Sequence, residues 1–165
     1  MSIYGPGSGY ADTPGGGDSP RFEVRRGEPG YPPRLAILPE APETLYGIGD
    51  PALLAEEGLA VVGSRKATPY GLGAARMFGT YAAGHGVAVI SGAAIGCDQE
   101  AHRAALAVGG PTIAVLGCGA DVDYPRGATE LLDEIRMNGL IVSEVEWGTR
   151  PQRYLFARRN RIIAG

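Results

Sequence analysis

The chain has 165 residues, enough for one buried core and too few for two, and its longest apolar runs fall well short of the roughly 20 residues a membrane span needs. A formal net charge of -3 excludes a protein coated in positive charge that grips nucleic acid indiscriminately, while leaving room for a local basic site. With 27 Gly and 13 Pro against 3 Phe and 1 Trp, many residues serve turns and close backbone approaches; the two cysteines, Cys97 and Cys118, lack CxxC spacing and point to buried thiols in a cytoplasmic, membrane-free setting.

Residues 1–30 are rich in Gly and Pro and poor in aliphatic side chains, which cannot offset the entropy of ordering a chain, so a disordered tail is expected there, with Arg21 to Glu28 as a solvated mixed-charge stretch. Residues 31–165 form the domain. They open with YPPRLAILPEAPETLYGIGDPALL, where prolines interrupt any helix and scattered apolar residues suggest a strap laid against a core.

The remainder alternates between short apolar runs and helix-length stretches. LAVVG (59–63), VAVISG (87–92), TIAVLG (112–117) and LIVSE (140–144) read as strands, and 70–85, 98–108 and 128–138 read as helices. Strands apolar on both faces and joined by helical crossovers predict a Rossmann-like, doubly wound, mostly parallel sheet with helices on both faces. In such a sheet ligands bind at the carboxyl ends of the strands. Gly63-Ser64-Arg65, Ser91-Gly92, Gly117-Cys118-Gly119 and Ser143-Glu144 stand at those ends.

Three groups of residues carry candidate chemistry. In the first, Gly63 lets another backbone come close, free amides at the following helix start attract anions, and Arg65, with Lys66 beside it, offers a planar fork to phosphate oxygens. Thr68 and Pro69 suit an N-cap and a first helical position, so a capped turn with solvated charges accounts for the same residues. The glycines complete neither GxGxxG nor a P-loop, which disfavours a dinucleotide oxidoreductase or an NTPase.

The second group is Ser91 to His102. Asp98 and His102 are one helical turn apart and could pass as an acid/base pair, but a helix-start cap at Asp98 paired with or closed over by His102 explains them more simply. Without a GxSxG elbow or ligand-spaced Cys and His, neither catalytic residues nor a metal or other cofactor is expected. The third group lies after Trp147, where Arg150, Arg153, Arg158, Arg159 and Arg161 alternate with Tyr154 and Phe156 and no acid intervenes. Cations interleaved with aromatics suit single-stranded nucleic acid, whose phosphates pair with guanidinium groups and whose bases lie on rings; a solvated basic face is the alternative.

Taken in order, VGSRKATPYG, SGAAIGCDQEAH, TIAVLGCGADVDYP, LIVSE and RYLFARRNRIIAG resemble the signature blocks of the DNA-processing protein A (DprA, or Smf) family, from about Tyr31 to the last residue. The resemblance implies a non-enzymatic protein that binds and shields single-stranded DNA, as partner of the RecA recombinase in natural transformation. By that carry-over Gly63, Ser64 and Arg65 cradle the DNA backbone with Lys66 and Gly92, and Phe156, Arg158, Asn160 and Arg161 line the same pocket. Tyr124 and Pro125 stand at its rim. In the family RNRIIAG opens a helix followed by further strands, so the sheet is expected to be incomplete at its C-terminal edge, and the elements thought to carry a homodimer contact and part of the RecA surface are expected to lie beyond Gly165. The rival expectation, a nucleoside-monophosphate phosphoribohydrolase-like or other nucleotide-binding enzyme on a related sheet, lacks its PGGxGTxxE string here.

Overall fold

In a computed structural model, which describes residues 19–165, six strands form one sheet in the order β1-β2-β6-β5-β4-β3. In chain order the elements are β1 (Arg21–Arg25), α1 (Pro33–Ala36), β2 (Thr44–Gly49), a 3-10 turn (Pro51–Ala55), β3 (Gly58–Ala60), α2 (Pro69–Gly84), β4 (Ala88–Ser91), α3 (Cys97–Ala107), β5 (Thr112–Leu116), α4 (Thr129–Asn138), β6 (Leu140–Ser143) and α5 (Arg153–Ala164). Strands β3 to β6 are parallel and step across the sheet in sequence order. Strand β2 runs antiparallel to β6, and β1 antiparallel to β2.

Alternation along the central strands builds a core on each face. Ile113, Val115, Leu140 and Val142 point to one side, where Tyr31, Leu35, Ile162 and Ile163 cover them. Ala114, Leu116 and Ile141 point to the other, beneath Leu131, Leu132 and Ile135 of α4. Small residues of α2 and α3, among them Ala75, Ala82, Ala101 and Ala105, continue that second layer over Val89. Helices therefore lie on both faces of a Rossmann-like sheet, and α5 crosses the face opposite α2, α3 and α4. Thr68 caps α2, accepting from Gly71 N–H at 3.2 Å, with Pro69 in the first turn.

Two expectations need correction. The disordered tail expected over residues 1–30 contains β1: Phe22 and Val24 enter the core while Arg21, Glu23 and Arg25 face outward, and the strand pairs along its whole length with β2. Five residues with period-two alternation were hidden by the Gly and Pro around them, and the charges are one face of a strand rather than a solvated coil. Residues 1–18 of that expected tail lie outside the described residues. The strap after Tyr31 also contains a strand, β2, whose Leu45 and Ile48 are buried and whose hydrogen bonds close the β6 side of the sheet. At the other end of the sheet, β3 is exposed along its three residues.

Candidate functional site

The carboxyl ends of β3, β4 and β5 converge on the first turns of α5. This convergence makes two adjoining clefts that share Arg65, Ala94, Phe156 and Arg159. One cleft runs past Gly92 and Gly117 to Tyr124 and Pro125. The other runs past Gly63 and Asp98 to Asn160. The Arg65 guanidinium stands 5.8 Å from the centre of the Phe156 ring, and that ring stacks in turn on Tyr124 at 5.1 Å. Among the described residues Arg65 has no carboxylate partner, so its fork is free for an incoming oxyanion.

Beneath the clefts lies Arg159, 5% exposed, a pocket residue that its place in a run of arginines does not announce. Its Nη1 donates to the Gly92 carbonyl at 2.9 Å and to the Val115 carbonyl, and its Nε donates to Asn160 Oδ1 at 3.0 Å. Gly92 is needed at this point because a side chain there would occupy the space of the guanidinium. Burial pulls the Arg159 pKa below its ordinary value, and the nearby Asp98 carboxylate opposes that shift. Asp98 itself, 4% exposed, accepts from Gly63 N–H at 3.3 Å and Gly92 N–H at 3.2 Å.

The expected site residues thus divide. Gly63, Arg65, Gly92, Tyr124, Pro125, Phe156 and Asn160 come together around the two clefts. Ser64 turns its hydroxyl back to accept from Lys66 N–H at 3.1 Å, and both residues are exposed just outside the clefts. Arg158 and Arg161 are elsewhere. Arg161 makes a bidentate pair with Glu144, at 2.6 and 2.8 Å, and its Nε donates to the Glu40 carbonyl at 2.7 Å; Arg158 reaches the same carboxylate at 3.2 Å. The Glu144 hydrogen bonds raise the Arg161 pKa despite its burial. Helix geometry holds the missed signal: counting from Phe156, Arg159 and Asn160 fall three and four residues on and share its face, whereas Arg158 and Arg161 fall two and five on and do not.

The Asp98–His102 pairing does not form. His102 is fully buried and its Nδ1–H donates to Thr112 Oγ1 at 2.7 Å, because that hydroxyl spends its own proton on the Val89 carbonyl at 2.9 Å. Nε2 is then the unprotonated nitrogen, without a partner, and burial, helped by Arg159 and Arg103, pushes the His102 pKa down to about 3. Nor does Asp98 cap its own helix; Gly96 occupies the N-cap and Asp98 spans to two strand ends instead. Burial pushes the Cys118 thiol up to about 11, which leaves it an unreactive, packed thiol.

Comparison with known proteins bears on the family and the fold. Residues 23–165 match the family model of DNA recombination-mediator protein A. The chain is 39% identical over 142 residues to Protein Smf of Synechocystis, covering 84% of this chain and 36% of that one. It superposes with a TM-score of 0.81 and 37% identity on DNA processing protein A from Streptococcus pneumoniae, covering 86% of this chain and 50% of that one. It does so at 0.78 and 32% on the Helicobacter pylori protein, solved for its single-stranded-DNA binding mode, covering 87% of this chain and 64% of that one. The chain spans about a third of the Smf relative's length and one half to two thirds of the two solved chains. With residues 23–165 matching the family model and the fold superposing on two solved members, the chain belongs to the DNA recombination-mediator protein A family.

Proposed function

We propose that the paired clefts bind the sugar-phosphate backbone of single-stranded DNA. The observation that carries this reading is Arg65, a guanidinium with no carboxylate partner among the described residues, poised over the Phe156 ring at the convergence of three strand ends. A phosphate would meet the Arg65 fork, and an unstacked base would find the Tyr124–Phe156 aromatic pair within one nucleotide's reach. Duplex DNA keeps its bases stacked and offers those rings nothing, so single strands are preferred. The contribution of Gly63 and Gly92 is shape rather than free amides, since both N–H groups are taken by Asp98.

The same reading supplies a role. A strand held by its backbone is shielded from nucleases yet presents part of its bases outward, as a mediator that hands DNA to the RecA recombinase requires, and self-association as a homodimer belongs to the same proposal. It describes a binding protein acting in the cytoplasm rather than an enzyme. Fluorescence anisotropy with a labelled oligonucleotide, at two salt concentrations and against the matching duplex, tests the binding step. Tight, strongly salt-dependent binding of the single strand alone is expected; equal affinity for duplex, or no salt dependence, overturns it. Nuclease protection and RecA filament assembly on the bound strand test the later steps.

A further inference from the structure

The side chain that shapes the Arg65 loop is nearly buried at the floor of the second cleft. Asp98 lies in the first turn of α3, 4% exposed, and its two oxygens hold the backbones that follow two different strands, Gly63 after β3 and Gly92 after β4. Its neighbours in the same turn tighten the grip: Cys97 N–H donates to the Ser64 carbonyl at 3.3 Å, and Gln99 Nε2 donates to the Ala93 carbonyl at 3.2 Å. Between Gly92 and Gln99, Ala93 adopts a φ of 54°, a left-handed conformation that a residue with a Cβ takes only when its surroundings impose it. Arg159 completes the clamp by holding the Gly92 carbonyl, so that the two peptide groups flanking Gly92 are gripped, one by a carboxylate and the next by a guanidinium.

We propose that Asp98 is a positioning residue for Arg65 and an internal substitute for phosphate. By taking the amide protons of Gly63 and Gly92 it sets the loop that lifts Arg65 over Phe156. It also denies those amides to a free phosphate group, as a bound anion would. In Rossmann-type sheets a glycine-loop amide and a helix start commonly receive a nucleotide phosphate. Here the carboxylate of the helix itself occupies that position, which turns the fold away from mononucleotides and leaves the outward cation to engage a strand. This inference rests on the single-stranded-DNA reading for its first half and stands apart from it for its second.

Asp98→Asn tests the first half, since an amide of the same size can accept only one of the two N–H groups and turns its own NH2 toward the other. The variant is expected to bind oligonucleotide about tenfold more weakly, the share of one charge-assisted contact. Its salt slope should fall by about 0.7, the share of one phosphate on a single strand, and Arg65→Ala added to it should lower neither further. A merely structural role would lower the melting temperature and leave the slope of the folded fraction unchanged; that result, or full additivity with Arg65→Ala, overturns the positioning role. Should Asp98→Asn melt below the assay temperature, Asp98→Glu, which keeps the charge opposite Arg159 but sets it one methylene out of register, carries the same test with the same expectation.

Asp98→Ala tests the second half. With both amides vacated beside the Arg159 cation, inorganic phosphate is expected to raise the variant's melting temperature well beyond any effect on the parent. Equal shifts in the two proteins overturn the substitution for phosphate. If the parent fails to bind single-stranded DNA, the proposed function falls, and the phosphate arm is still read by itself.

Discussion

Two faces of one helix carry the arginines of this protein in opposite ways. On the cleft face of α5, Arg159 sits under the site with Phe156 and Asn160, holding backbone carbonyls, while Arg65 reaches over from the β3 loop with no carboxylate partner among the described residues. On the other face, Arg158 and Arg161 converge on Glu144, whose side chain is 4% exposed. A cation already satisfied by a buried carboxylate has little left for a phosphate, so proximity in sequence overstates how many of these arginines serve a ligand. Position on the helix decides it.

Substitutions on the two faces should separate these roles. The largest effect is expected at Arg159. Arg159→Leu leaves two buried carbonyls without their donor and removes a nearby positive charge from Asp98, at a cost of about 2 to 6 kcal/mol in denaturant unfolding. A loss below about 1 kcal/mol would show that the clamp is not holding the strand ends.

The pH dependence comes next, because it reports whether Asp98 is balanced by Arg159 or by His102. The folded-state pKa of His102 is lowered to about 3, so as pH falls below the unfolded value near 6.5 the unfolded chain gains a proton that the folded chain refuses. Stability should therefore drop by about 2 kcal/mol between pH 7 and pH 5 through this group, and the drop should vanish in His102→Gln. Were His102 paired with Asp98, its pKa would rise and the slope would change sign.

Arg65→Ala is expected to weaken oligonucleotide binding about tenfold with folding stability altered by less than about 0.5 kcal/mol. Smallest of all is Arg158→Ala: with its side chain 53% exposed and Arg161 still on Glu144, affinity and stability should both stay within about 0.5 kcal/mol of the parent. If Arg158→Ala harmed binding as much as Arg65→Ala, the two faces would be one site and the comparison would collapse.

The parallel half of the sheet was legible in the chain. Strands such as TIAVL and LIVS are apolar on both faces, and Thr68-Pro69 announces its helix start through chemistry confined to neighbouring residues. Gly63, Arg65, Gly92 and Phe156 were legible too, because a parallel sheet delivers its strand ends to one side. The antiparallel margin was less so: RFEVR is too short and too charged to stand out without β2 beside it.

What the sequence by itself determined was local: periodicity, caps and the residues standing at strand ends, all governed by interactions a few positions apart. Only the tertiary structure decided which arginine faces the cleft, that Asp98 grips Gly63 and Gly92 rather than His102, and that Glu144 neutralises Arg158 and Arg161. Those pairings join residues as many as 67 positions apart, as between Arg159 and Gly92, and a buried charge takes whichever partner the packed chain brings within hydrogen-bond reach.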